Sequence, residues 1–312
     1  MRVIITGGTG LIGRALTGEL AQAGYEVIIL SRNPKKASGL PASVQVVGWD
    51  AGSSAGWGHL ADGAEAIVNL AGESIAGENF QDLILKRWTP AHKQFILESR
   101  MKAGKAVVQA VQEAKKKPKV VVQASAVGYY GSRKDEELTE YSAPADDIVA
   151  KICAQWETAT APVEAQGVRR AIIRNAGVVM SLEGGAFPYM LLPFRLFVGG
   201  PLGSGKQWFS WIHIRDEARA IRFIIENISA SGVFNLTAPQ SITNAHLSKS
   251  LGRVLGRPSF IPVPGFALKL LFGEKAMVLL SSQRQIPSRL IEMGFKFSFP
   301  EIESALRDLF EK

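Results

Sequence analysis

The 312-residue sequence predicts an α/β protein, a doubly wound parallel sheet with a smaller C-terminal lobe forming a substrate cleft against it. Three observations carry this expectation. Through residues 1–175 short apolar runs alternate with helical patterns, as strands joined by crossover helices require. The first run leads straight into a glycine turn that opens a helix. After Ile173 the texture changes: glycine and proline become frequent from Gly184 to Gly205, and the strands shorten.

Strands are expected at Val3 to Thr6, Val27 to Leu30, Val44 to Val47, Ala66 to Leu70, Val120 to Val122 and Ala171 to Ile173. Helices are expected from Leu11 to Ala23, with Gly24 as the stop, and from Pro90 to about Ala114, with Thr89 as cap and Pro90 at the first helical position. A third runs from about Asp146 to Ala165. Further on, Ser210 to Arg215 reads as a strand with Trp211, His213 and Arg215 on one face, followed by Asp216 as the N-cap of a helix to Asn227 and by a helix from Asn244 to Leu255. Val233 to Leu236 reads as a late strand returning to the first sheet. The expected division is therefore a main domain of 1–175 with 228–240 returning to it, and a smaller lobe of 176–312. Phe260, Phe266, Phe272, Phe295, Phe297 and Phe299 are expected to fill a core. The glycine-rich loop Gly199 to Gly205 has two readings, a mobile flap over substrate or a rigid turn between lobes.

Thirty-six Lys and Arg against 28 Asp and Glu leave a net charge of +8, which admits nucleic acid, a membrane surface or an anionic ligand as partner. The densest basic run, Lys115 to Lys119, follows a long helix and reads as its solvated C-terminus; without aromatic interleaving it gives no case for nucleic acid. A lone cysteine, Cys153, fits a reducing compartment, and the scattered His59, His92, His213 and His246 offer no metal site. Phe187 to Val198 and Ile261 to Leu280 are broken by Pro188, Pro193 and Arg195 and by Pro262, Pro264, Lys269, Glu274 and Lys275, short of the roughly 20 apolar residues of a membrane span. No leader pattern precedes Val3, so a cytoplasmic location is expected, or an organelle stroma or matrix for a mature form.

The run Thr6-Gly7-Gly8-Thr9-Gly10-Leu11-Ile12-Gly13 points backbone N–H groups at an anion where a helix begins. Gly7 permits the tight turn, Gly10 close approach to a pyrophosphate, and Gly13 packing of helix on strand; Leu11 and Ile12 contribute the first helical amides. This is the phosphate cradle of a Rossmann dinucleotide site. An NAD site usually carries Asp or Glu about 20 residues on, where here the second strand ends Leu30-Ser31-Arg32. A guanidinium in bidentate contact and the Ser31 hydroxyl suit a 2'-phosphate, so NADP(H) is favoured. Arg14, a cation in the first turn of the helix, is read either as an anion contact or as an ordinary surface residue.

Several further motifs carry a resemblance over essentially the whole chain: Asn69-Leu70-Ala71-Gly72-Glu73, Arg87-Trp88, Ser99-Arg100, Ser125 to Gly131, Gly199 to Gly205, Ser210 to Ile214 and Gly256-Arg257-Pro258. With them the chain resembles an extended or atypical short-chain dehydrogenase/reductase, in the epimerase-family subgroup of reductase-like proteins, some of which bear a cell-division-inhibitor label. The resemblance implies that Ser31 and Arg32 hold the 2'-phosphoribose, that Leu70, Ala71 and Gly72 line the adenine and ribose side, and that Arg100 reaches the cofactor. It matches Asp50 to an acid near the adenine; the alternative for Asp50 is a turn cap.

Such enzymes normally move a proton with a Tyr whose pKa is lowered by a Lys four residues on. Aligned on Pro144, those positions are Ile148 and Ile152; aligned on Glu157, they are Val149 and Cys153. The usual Ser or Thr falls on Ala126, next to Ser125. Lys151 lies nearby, four residues after Asp147, and reads as a solvated ion pair. Ser125, Tyr129 and Glu73, each following a strand at the carboxyl edge of the sheet, are nominated as catalytic acid or base instead. The function expected is an NADP(H)-binding oxidoreductase or nucleotide-sugar-epimerase-like enzyme with a small-molecule substrate between the lobes. The alternative is a catalytically silent regulatory or interaction protein, as in cell or plastid division, with an oligomer or protein partner.

Overall fold

The computed structural model describes residues 1–75, 77, 81–82 and 86–311. Strands β1 (Arg2–Thr6), β2 (Glu26–Ser31), β3 (Gln45–Gly48), β4 (Ala66–Asn69) and β5 (Val120–Ala126) are followed by the short β6 (Glu137–Leu138), then β7 (Arg169–Asn175), β8 (Val178–Met180), β9 (Trp208–Phe209), β10 (Trp211–His213), β11 (Gly232–Leu236), β12 (Ile242–Thr243) and β13 (Arg284–Gln285). Seven of them form one parallel sheet in the order β3-β2-β1-β4-β5-β7-β11. Thr6 pairs with Leu30 on one side and Asn69 on the other, so the strand order reverses at β1, and the carboxyl ends of β1, β2 and β4 open a crevice there.

Side chains alternate across this sheet. Val3, Ile5, Val27 and Ile29 meet Leu16 and Leu20 of α1 (Leu11–Gln22), and the same core takes in Ile221 and Ile224. Ile4, Ile28 and Ile67 face the other way, onto Ala103, Val107 and Val111 of α2 (Pro90–Glu113) and the fully buried Trp57. Because both faces are covered, the strands read as unbroken apolar runs. The helix opening on Thr89 is held as expected: its side chain accepts from His92 N–H with Pro90 at the first turn. At its far end Lys117 Nζ donates to the carbonyls of Val111 and Gln112, at 2.8 and 3.0 Å, so this lysine caps the helix.

The third expected helix is shorter than its pattern. It runs as α3 (Ile148–Thr158), with Asp147 accepting from Val149 and Ala150 N–H, and gives way to a 3-10 turn over Ala161–Gln166 that contains Pro162. Asp147 is thereby a cap. A separate core gathers Met180, Trp211, Phe187 of α4 (Phe187–Arg195), Leu247 and Leu251 of α6 (Asn244–Leu255) and Leu306 of α10 (Ile302–Phe310). Between these lies α5 (Ile214–Glu226), and α7 (Gly265–Phe272), α8 (Ala276–Leu280) and α9 (Ser288–Glu292) complete the helices.

Asp216 is not the N-cap of α5; His213 is, its Nδ1 accepting from Arg215 N–H. Asp216 is fully buried in the first turn, where it accepts from Ser298 and Phe299 N–H at 2.9 and 2.8 Å. It therefore anchors a segment 82 residues away, which local pattern does not reveal. The glycine-rich loop is pinned by its backbone, Ile261 N–H donating to Gly199 and Val263 N–H to Pro201. Phe295 joins the sheet core and Phe297 packs on it, whereas Phe260 and Phe266 are exposed, contrary to the expected core. Among the described residues no helix is long and apolar enough to cross a membrane.

Candidate functional site

The cradle is built by the backbone. Gly7 takes φ +69°, a left-handed conformation open to glycine, and its carbonyl accepts from Gly10 N–H at 3.0 Å. Gly10 begins α1 without a side-chain cap, and no acid lies in the first turn, so the leading amides of the helix have no protein anion to meet. A Cβ on Gly13 would stand 2.5 Å from Gly7 O and 2.5 Å from Gly8 Cα. Gly8, which the motif reading passed over, is equally constrained: its Cβ would lie 2.6 Å from Ile29 Cγ2. The strand ends are tied together by Thr6, whose hydroxyl donates to Asn69 Oδ1 at 2.6 Å and accepts from Ala71 N–H, while Asn69 Nδ2 donates to Gln123 Oε1.

A cleft of about 440 Å³ opens over this turn. Gly7, Gly10, Ser31, Arg32, Leu70, Ala71, Gly72 and Glu73 line it, joined by Ser99 of the Ser99-Arg100 motif and by Trp49 and Phe95, which sequence reasoning missed. Leu11, Ile12 and Gly13 begin the helix behind it. The Arg32 guanidinium is exposed at the β2 end, and Ser31 Oγ accepts from Asn33 N–H at 3.2 Å. Arg14 spans two carbonyls, Thr9 at 2.9 Å and Ser38 at 2.5 Å, and so braces the loop after β2. Asp50 is turned onto its own loop: it accepts from Gly52 and Ser53 N–H and from Ser53 Oγ, and these bonds hold its carboxyl below the usual range. Arg100 is buried beneath the rim, donating to Glu73 O at 2.9 Å.

Ser125 and Tyr129 stand in a different cluster, at the ends of β5 and β7. Ser125 Oγ donates to Glu157 Oε1 at 2.7 Å, and Glu157 takes two bonds from Arg174, at 2.8 and 3.0 Å. Arg174 lies over the Tyr129 ring, 3.4 Å from its centroid, and donates to Tyr130 Oη at 2.9 Å. Tyr130 in turn donates to Asn235 of β11 at 2.7 Å. Burial pushes the Tyr130 phenol up to about 12, and its bonds to Asn235 and Arg174 make it a structural link. Glu157, Arg174 and Asn235 are absent from the sequence-based candidates because nothing local marks them as partners.

In the register aligned on Glu157, the positions of the missing pair are Val149 and Cys153. Val149 packs on Gly128, where a Cβ would lie 2.5 Å from Val149 Cγ1, and Cys153 is buried behind it. Burial drives the Cys153 thiol up to about 12, so it brings no charge to the site. His213 is 1% exposed, with Nε2 3.4 Å from Asp308 and its ring on Phe299, a structural role at the start of α5. Among the described residues no group of three or more His, Cys, Asp or Glu is placed to hold a metal ion.

A sequence profile of the NAD dependent epimerase/dehydratase family matches residues 3–237. The chain belongs to that family. A second profile, a domain of unknown function (DUF1731), matches residues 263–309. The epimerase family protein YfhF of Bacillus subtilis is 39% identical over 310 residues, covering 99% of this chain and 98% of that protein. A crystal structure of the human epimerase family protein SDR39U1 (isoform 2) with NADPH superposes with a TM-score of 0.86, 36% identity and full coverage of both chains. A nucleoside-diphosphate sugar epimerase from Corynebacterium glutamicum superposes with a TM-score of 0.76 and 34% identity, over 99% of this chain and 58% of that one. Within this epimerase/dehydratase family, the chain is of the SDR39U1-like kind.

Proposed function

We propose that this epimerase-family chain binds NADP(H) in the cleft and uses it in oxidoreductase or nucleotide-sugar-epimerase-like chemistry on a small molecule. The observation that carries the reading is Arg32, an exposed guanidinium at the β2 end of a cleft whose floor is an uncapped helix start. A 2'-phosphate suits that fork, as a ribose hydroxyl would suit a carboxylate. The family, and a 36% identical relative crystallised with NADPH, support the same choice.

In this reading Gly7, Gly10 and the amides of Leu11, Ile12 and Gly13 hold the pyrophosphate, Ser31 and Arg32 the 2'-phosphate, and Leu70, Ala71 and Gly72 the adjoining wall. Asp50 serves the site by shaping the loop between Trp49 and Ser53. When bound, the dihydronicotinamide supplies a hydride to a substrate carbon. The chain supplies the proton for the neighbouring oxygen, and Tyr129 is its assigned source. Ser125 is the weaker donor because its proton is already given to Glu157; Glu73, in the cleft wall, is the third candidate. A second reading, a silent NADP(H)-binding regulatory protein such as one acting in cell division, draws on the neutral Val149 and Cys153.

The test is a titration of NADPH and NADH followed by the emission of Trp49, which lines the cleft. Tight NADPH binding that falls about tenfold or more in Arg32→Ala is expected; equal affinity for the two cofactors removes the reading. NADPH oxidation against a panel of carbonyl substrates, with Tyr129→Phe, Ser125→Ala and Glu73→Gln alongside, decides between enzyme and regulator. Silence across the panel favours the regulator.

A further inference from the structure

A buried cation that no carboxylate contacts by a hydrogen bond or ion pair among the described residues lies under the rim of the cleft. Arg100 is 6% exposed, yet its hydrogen bonds both leave Nη1, for the carbonyls of Glu73 (2.9 Å) and Ile96 (3.0 Å). Its Nε is buried and donates to nothing among the described residues. The group rests on the Trp156 ring, 4.6 Å from the centroid, and the Glu73 carboxylate acts on it only from a distance. Burial lowers it to about 10, which leaves it charged at neutral pH.

Burying an ion with neutral partners alone costs several kcal/mol, and an apolar side chain of equal length would pack between α2 and α3 as well or better. Packing therefore does not account for an arginine here. A ligand does, since the unused edge of a guanidinium offers donors in a fixed plane.

Position says which part of the ligand. The guanidinium lies against Gly72, where a Cβ would stand 3.1 Å from Arg100 Cζ, and Gly72 lines the cleft. Gly72 follows β4, whereas Arg32 follows β2 on the far side of β1. The two arginines thus flank the cradle from opposite sides. Behind Arg100 on α3 is Cys153, close enough for each to shift the other's proton affinity, and Cys153 is one of the two positions, with Ile152, where the sequence reading expects the lysine.

We propose that Arg100 is the positioning cation of this site: entering from α2 in place of the absent lysine on α3, it donates to the ribose hydroxyls of the nicotinamide half of the dinucleotide. The proposal rests on the NADP(H) reading above. Its role is to orient that half against the ends of β5 and β7, and it takes no proton itself.

Calorimetric titration of NADPH and of 2',5'-ADP, which carries only the Arg32 end of the ligand, tests it. In Arg100→Met the affinity for NADPH should fall tenfold or more while that for 2',5'-ADP stays within twofold of wild type, and the melting temperature without ligand should not fall. Arg100→Lys should recover part of the NADPH affinity; if Arg100→Met fails to fold, Arg100→Lys decides, with NADPH weakened and 2',5'-ADP unchanged. Unchanged NADPH affinity, or equal loss of both ligands, overturns the proposal. If the wild-type chain binds neither ligand, the dinucleotide reading itself has failed.

Discussion

Ser125 gives its hydroxyl proton to Glu157 across 2.7 Å, and the pair is buried, Ser125 at 1% and Glu157 at 8% exposure. The serine at the end of β5 therefore has its hydroxyl proton already engaged. The carboxylate that receives the bond is in turn balanced by Arg174, so two strands, β5 and β7, and helix α3 meet through one ion pair.

That arrangement makes Glu157→Gln expensive. It leaves the Arg174 charge buried without a counter-charge, one amide oxygen now serving both Ser125 and Arg174 and an NH2 group facing the other Arg174 donor, with Tyr130 Oη and the Glu140 carbonyl as the remaining acceptors. Truncating one partner of a buried pair costs about 3–5 kcal/mol, more than the pair itself contributes relative to apolar residues. Urea unfolding should show a loss of that size in Glu157→Gln and a large recovery when Glu157→Leu is combined with Arg174→Met. A single variant within about 1 kcal/mol of wild type would show that water reaches Arg174.

Gly13→Ala should uncouple binding from folding. The added Cβ meets backbone on both sides, Gly7 O and Gly8 Cα, and no side chain can swing away to relieve it. Overpacking of this kind costs about 1–3 kcal/mol, which a domain of this size tolerates. The turn must shift, and with it the amides aimed at a pyrophosphate. The expected result is a folded protein, by circular dichroism and a melting temperature lowered by a few degrees, whose NADPH affinity has dropped at least tenfold. Retained affinity would separate the cradle from the binding site.

The legible parts of this molecule share a property. β1, β2 and β4 are continuous apolar runs because helices cover both faces, and the glycine turn is continuous in sequence with the strand and helix it joins. Arg32 could be found by counting from that turn. What stayed hidden depends on partners far along the chain: Ser125 and Glu157 are 32 residues apart, Tyr130 and Asn235 105, Asp216 and Phe299 83. Arg100 could be listed from its motif, but that only carbonyls accept its hydrogen bonds among the described residues is a fact of packing. Gly8 shows a third kind of failure, since its constraint comes from Ile29 on a neighbouring strand.

Glu217 predicts the pH dependence of stability. It sits in the first turn of α5, where the helix dipole favours a carboxylate by about 0.3–2 kcal/mol. Burial opposes this and wins: the side chain is fully buried, neither oxygen has a hydrogen-bond partner among the described residues, and the carboxyl is pushed up from 4.5 to about 8. With the folded value above the unfolded one, the folded state holds the extra proton. Its contribution is complete below pH 4.5 and is lost as pH rises through about 8, a loss on the order of 5 kcal/mol. Glu217→Gln keeps the shape and removes the titration. The stability of this variant relative to wild type should therefore climb between pH 5 and 8 and level off above, as followed by urea midpoints at each pH. A difference that is flat across that range would mean that Glu217 is charged and solvated in the folded chain.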